Sequence, residues 1–444
     1  SHPIMKHSKQ LFTHYMTLWA RLLQKAAGQA DPATYLLTHD ARTPLFYLEG
    51  MTRVLMHEHN PKKMRRLNEW FKKMEDALGA IDYYTNLLKD FKSNHKIPQT
   101  IKHNLTEKLK SATSNLNTLL VELGWLGENA DRVQQVHQYS KKMDWLGQKN
   151  VLLALKNRYQ SDMRSIARHM KRPIEQIERD VHELRRDVRW LSIYPQAFKG
   201  FVNLQTVESI PDSLLKYATP ETIDSPYNQL AHVANVNKVL YLNTHAYYAM
   251  SWLITQLGVL KDSGLRLLTL AELLQTHQKL SEAQALKNAQ TMLGTTQPSV
   301  EDLLNTARGL IVQMQNDKVL SQLLLSKQTP ITKTTRVTKA TPATQPSATT
   351  RTTPATQPSA TTRTTPTPPA NPKTRVTPTT KAHTSTRVTV APKTPATKTR
   401  TAPAAEASPR TTTRATAKTK ARTNTTGKPP AAQVVKKTTK PTQS

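Results

Sequence analysis

Residues 173–193 read PIEQIERDVHELRRDVRWLSI. Within them Ile174, Ile177, Val181, Leu184, Val188 and Leu191 step by three and four residues, the repeat of a helix with one apolar face. Proline suits a first helical turn, so the spacing predicts a helix that begins near Pro173. At about 100° per residue, His182, Arg185 and Arg189 fall on the arc beside that stripe, with Arg186 a little further round. Cations that border a buried face are placed to line a groove between helices. There the planar Arg fork can meet phosphate oxygens in a partly desolvated setting. The competing reading is a solvated flank whose cations pair with Glu175, Glu178 and Glu183.

The same periodicity continues on both sides. Leu152, Leu155, Tyr159, Met163, Ile166 and Met170 share a face of the preceding helix. Asp31-Pro32 reads as an N-cap and first turn. Ser281 with Gln284 reads as a capping box for a helix that stops near Gly294, and Ser299 as the cap of a last helix running to about Leu325. Alternating apolar and polar runs are missing, so no strand is expected. Residues 205–226, with Pro211, Pro220 and Pro226, read as a loop. The fold expected is all-α: one large helical domain of two bundle-like halves, residues 1–204 and 227–326, followed by a disordered basic tail over 327–444.

Charge divides the 444 residues unevenly. The formal net charge is +32, and residues 331–444 carry 21 Lys and Arg against one acid, Glu406. That leaves 42 basic and 30 acidic residues for 1–330. Both parts favour polyanionic partners, the tail more densely. Residues 342–353 and 354–365 repeat PATQPSATTRTT. A Thr/Pro/Ala/Lys/Arg segment of this kind buries too little apolar surface to offset its ordering entropy. By composition it resembles linker-histone-type and bacterial nucleoid-binding tails, which neutralise phosphates of DNA or RNA without reading sequence. The chain has no cysteine, which excludes disulfides, thiolate zinc sites and a Cys nucleophile. The apolar run from Ala249 to Leu260 is too short to span a bilayer, and no leader is recognised. A cytoplasmic protein, associated with nucleoid or polyphosphate granules, is expected.

A second stretch echoes the first. Residues 39–42 read HDAR, placing His39, an acid and Arg42 in the order of His182, Glu183 and Arg185. His39, Arg42 and Arg53 share a stripe only if one helix runs through Pro44; otherwise Thr43-Pro44 starts a new helix and His39 sits in the joint. Paired His-led basic helices in an all-α chain resemble the CHAD domain, the conserved-histidine α-helical domain. His182, Leu184, Arg185, Arg186, Arg189 and Leu191 occupy the positions of its H-x-L-R-K-x-x-K-x-L pattern. Leu78-Gly79-Ala80-Ile81-Asp82 is similar to its LG-x-x-D segment. The likeness covers roughly residues 11–325. It implies two pseudo-symmetric bundles and a basic groove that holds inorganic polyphosphate. Phe46, Tyr47, Glu49, Trp190, Ser192 and Ile193 stand where the family carries other, mostly cationic, residues. Residues 39–45, HDARTPL, also resemble the phosphoacceptor box of sensor histidine kinases, in which His39 would accept a phosphoryl group. The Asn-box and Gly-rich segments of a kinase's nucleotide domain are not found.

Other motifs are weak or missing. Residues 166–180 fit a helix-turn-helix poorly, with Lys171 at the turn glycine and Arg172 and Asp180 at apolar positions. His57-Glu58-His59 is too closely spaced for two ligands from one helix face. His182-Glu183 does not open an H-E-x-x-H site. Walker A, dinucleotide and nucleophile-elbow signatures are missing, as is the E-x-E-x-K signature of triphosphate tunnel enzymes. Tyr241, Tyr247, Tyr248 and Trp252 read as core aromatics. The expectation is a non-enzymatic polyanion-binding protein without cofactor or metal. His39, Arg42, His182, Arg185, Arg186 and Arg189 would face one groove that holds polyphosphate, and the tail would hold DNA, RNA or polyphosphate. The alternatives are a phosphotransfer module using His39 and a helical scaffold with a nucleic-acid-binding tail.

Overall fold

The computed structural model describes residues 6–325, so the tail and its repeat lie outside the described residues. The described part is all-α but for two four-residue strands. Helices α1 (His7–Ala26), α2 (Pro32–Thr38), α3 (Arg42–Leu55), α4 (Pro61–Lys92), α5 (Gln99–Glu122), α6 (Arg132–Lys142) and α7 (Gln148–His169) come first. Helix α8 (Glu183–Ala197) carries the Arg185–Arg189 stretch. After it come β1 (Val202–Gln205), the short α9 (Asp212–Leu215) and α10 (Pro220–Ile223), and β2 (Leu240–Asn243). The chain continues through α11 (Thr244–Gln278), α12 (Glu282–Leu293), α13 (Val300–Asn316) and α14 (Val319–Leu323).

The apolar stripe of the opening stretch is the buried face. Ile174, Ile177, Val181, Leu184, Val188 and Leu191 are each at most 4% exposed. They belong to a single core cluster that runs from Leu11 to Leu323 and includes Tyr159, Tyr194 and Tyr247. The 35-residue α11, roughly 50 Å long at 1.5 Å per residue, lies along this core. Its C-terminal part also joins a second cluster with Phe91, Ile101, Leu105 and Ala285. The run from Ala249 to Leu260 is therefore core helix. Among the described residues no helix is long and apolar enough to cross a membrane.

Several boundaries differ from expectation for identifiable reasons. The helix predicted from Pro173 begins at Ile177, with a π-helical turn from Ile177 to His182. The Asp180 carboxylate accepts the backbone N–H groups of Glu175 and Gln176, both at 2.8 Å, and holds the chain extended before the turn. Ser299 does cap its helix in a reciprocal box with Asp302, but that helix ends at Asn316, and Lys318 turns left-handed at φ 52° before α14. Residues 205–226 contain α9 and α10 as well as loop. The strands were not anticipated. They pair in parallel, Val202 with Leu240 through Gln205 with Asn243, and four residues are too few to display alternation. Asp31, Ser281 and Asn243 cap their helices with side-chain oxygens.

Candidate anion-binding groove

Helix α8 packs between α3 and α11, and its arginine flank opens into two adjoining cavities of about 650 and 690 Å³. Arg42, Asp82, Arg185, Arg189 and Asp262 line both. The first continues over Phe46, Tyr47, Tyr227 and the hydroxyls of Thr43, Ser192, Ser225, Ser251 and Thr255. The second continues over Glu75, Asp76, Glu178, His182, Arg186 and Lys261.

The arginines have different tasks. Arg42 is committed to the protein: Nε and Nη2 donate to Glu75 at 2.9 and 2.5 Å, and Nη1 donates to Asp82 at 2.7 Å. Arg186 donates to Glu183 at 2.9 Å in a half-exposed pair, an arrangement worth little. Arg185 donates Nε to the Ile254 carbonyl at 3.1 Å and, among the described residues, meets no carboxylate within ion-pair distance. Burial pushes its guanidinium below the usual range, against the pull of Asp262. Among the described residues Arg189 has neither a hydrogen bond nor an ion pair; its guanidinium lies 4.3 Å from the centre of the Phe46 ring. Burial pushes Arg189 down to about 10; Glu75 opposes this, and Arg185, Arg42 and Arg186 add to it. Glu49 lies behind, 4% exposed, where burial and the neighbouring Glu75 push its carboxyl up to about 7.

The two histidines do not face one groove. His182 ends the π-helical turn, lines the second cavity and shares a hydrogen bond with Glu178 at 2.9 Å. His39 is exposed, lines neither cavity, and stacks on Tyr35 with ring centres 3.8 Å apart. Its Nδ1 lies 2.8 Å from the Tyr35 carbonyl. Asp40 adopts φ 53° between α2 and α3, so no single helix runs from His39 through Pro44; a new helix starts at Arg42, with Pro44 in its first turn, and His39 is left in the joint. Asp40 accepts from the Thr43 hydroxyl, leaving the imidazole of His39 to Tyr35 and Thr38. Of the six expected residues, the structure gathers Arg42, His182, Arg185, Arg186 and Arg189.

Two glycines make room for the arginines, and sequence reasoning passed over them in this role. A Cβ at Gly258 would stand 3.0 Å from Arg185 Nε, and one at Gly79 would stand 3.3 Å from Arg42 Nη2. A glycine inside a helix costs about 1 kcal/mol against alanine, so its presence there was a readable sign of close approach. Glu178 and Glu183 pair with His182 and Arg186, as the competing reading of a solvated flank expected; Glu75, Asp76, Asp82 and Asp262, whose part in offsetting the wall cations was missed, come from other helices. Glu178, His182 and Glu183 bring three possible metal-ligand atoms within 4.8 Å of one another, although Glu183 already pairs with Arg186. Compared with protein-family models, with curated proteins and with solved structures, the chain matches none.

Proposed function

We propose that the helical unit is a non-enzymatic anion-binding protein whose ligand presents a phosphate group to Arg185 and Arg189. The observation that carries this reading is the state of Arg189: desolvated, open to a cavity and, among the described residues, without an ion pair or hydrogen bond, Glu75 acting on it only from a distance. An uncompensated charge in such a setting costs several kcal/mol, and an entering anion returns part of that cost. Arg185 beside it offers the remaining donors of a second fork. The hydroxyls and aromatic rings of the first cavity suit a short phosphorylated ligand. A long polyphosphate chain would have to pass Glu75, Asp82 and Asp262. The CHAD-like reading is thereby narrowed to a short oligophosphate or a chain end. Residues 331–444, with their +20 charge, are proposed to hold DNA, RNA or polyphosphate by charge alone.

Calorimetric titration of the full chain with tripolyphosphate, after saturating the tail with duplex DNA, separates the two sites. One equivalent bound per chain supports the groove. Loss of all tripolyphosphate binding once DNA is present would sink it and leave only the tail.

A second reading rests on one observation at His39. Its Nδ1 is tied to a backbone carbonyl while the ring is exposed, which leaves Nε2 as the nucleophile of a phosphotransfer module. Incubation with acetyl phosphate tests it. Acid-labile phosphate that disappears in His39→Ala would establish transfer chemistry in place of pure binding.

A further inference from the structure

A second charged surface lies on the described unit away from the groove. On α4, Lys62, Arg65, Arg66 and Lys73 are all exposed and fall within an arc of roughly 100°. Two carboxylates, Glu69 and Asp76, lie on that arc. Among the described residues none of these four cations takes part in an ion pair, whereas Lys72, just off the arc, is paired with Asp76. Four exposed cations stand against Glu69 and an Asp76 already taken by Lys72, so this face keeps a positive excess and gains from a polyanion.

Aromatic rings stand beside the cations. Trp70 of α4 and Tyr139 of α6 are half-buried, with ring centres 6.0 Å apart and planes 11° from parallel. The Arg132 guanidinium lies 3.9 Å over the Trp70 ring, and Arg66 Nη1 donates to the Tyr139 hydroxyl at 3.1 Å. Arg66 meets Tyr139 while Trp70 meets Arg132, so the two helical stripes run in opposite directions. Exposed, unpaired Lys142 therefore falls towards the Lys62 end of the patch. The result is a pair of nearly parallel rings bordered by cations on both helices.

We propose that this α4–α6 face binds single-stranded nucleic acid. The cations would track the phosphates, and unstacked bases would lie against Trp70 and Tyr139. A duplex keeps its bases stacked inside and makes no use of the rings. A membrane surface would use the cations alone. The site is independent of the Arg185–Arg189 cavities.

The test uses the full chain, a fluorescein-labelled oligothymidylate and a duplex of equal length, over a salt series. In Arg65→Ala/Lys73→Ala/Lys142→Ala, oligothymidylate affinity is expected to fall about tenfold or more. Its salt slope should fall by about 2, since single strands release about 0.7 counterions per phosphate contact. Duplex affinity, carried by the tail, should hold. Trp70→Leu should weaken oligothymidylate about tenfold at an unchanged salt slope, since stacking is charge-independent. Circular dichroism checks that Trp70→Leu is folded; if it is not, the triple variant decides alone. Three results would overturn the proposal: the triple variant binding oligothymidylate as wild type does, equal losses on single strand and duplex, or patch-dependent binding to phosphatidylserine vesicles without oligothymidylate binding.

Discussion

Arg189 sits with its guanidinium carbon 4.3 Å from the centre of the Phe46 ring, and Arg42 approaches the same ring at 5.3 Å. One phenyl group thus serves two arginines of opposite circumstance. Arg42 is held by ion pairs to Glu75 and Asp82, while Arg189, among the described residues, touches the ring and no carboxylate. A cation over an aromatic face gains about 0.5–2 kcal/mol, less than a desolvated charge costs.

That contrast gives opposite stability effects. Arg42→Ala would strand the Glu75 carboxylate, whose side chain is only 10% exposed, and should cost about 3 kcal/mol. Arg189→Ala removes a desolvated charge that only Phe46 and the more distant Glu75 offset, and its net effect should stay below about 1 kcal/mol. Urea unfolding of the two variants measures the difference. Equal losses would mean that Arg189 is as structural as Arg42.

Gly258→Ala should separate affinity from stability. The new methyl would meet Arg185 Nε at 3.0 Å and turn the guanidinium out of the cavity. The helix itself gains up to about 1 kcal/mol from the substitution, which offsets the crowding. The expected outcome is a melting temperature within a few degrees of wild type and about tenfold weaker binding of tripolyphosphate. Unchanged binding would place Arg185 outside the ligand's reach.

The stripe that sets the fold and the arginine flank beside it were legible because both follow from spacing on one helix. What spacing could not carry was anything that depends on a distant partner. Arg42 looks like Arg185 in sequence, yet Glu75 and Asp82, more than thirty residues further on, occupy it. His39 echoes His182, yet a single left-handed residue, Asp40, leaves it outside both cavities. The Pro173 start failed because Asp180 captures two amides, a side-chain contact that apolar periodicity does not register. The parallel β1–β2 pair joins segments separated by most of the interhelical region, each too short to signal. Gly79 and Gly258 were visible, and read as breaks in helix propensity they mark where the arginines lie.

Stability should depend on pH through Glu49. Burial, and then Glu75, raise its folded carboxyl from the ordinary glutamate range, near 4.5, to about 7. The folded state therefore holds a proton that the unfolded chain has released between those values. Stability falls as pH rises through that window, by on the order of 3 kcal/mol, and is recovered on acidification. Glu49→Gln should flatten this limb in urea unfolding between pH 4.5 and 7.5. Below it, Asp180, held at about 2 first by its Arg179 hydrogen bond, acts in the other direction: its contribution is lost as pH falls below about 4. A wild-type profile that rises with pH from 4.5 to 7, unaltered in Glu49→Gln, would contradict the buried placement of this carboxyl.

Arg185 and Arg189 are proposed to form one site for a phosphate group. The most direct test of that proposal is the tripolyphosphate dissociation constant of Arg185→Ala/Arg189→Ala against wild type, with the tail saturated by duplex DNA and at fixed salt. Two charge-assisted contacts, at about 1.5–3 kcal/mol each, predict a weakening of a hundredfold or more in a protein that remains folded. Equal dissociation constants for wild type and the double variant would contradict it.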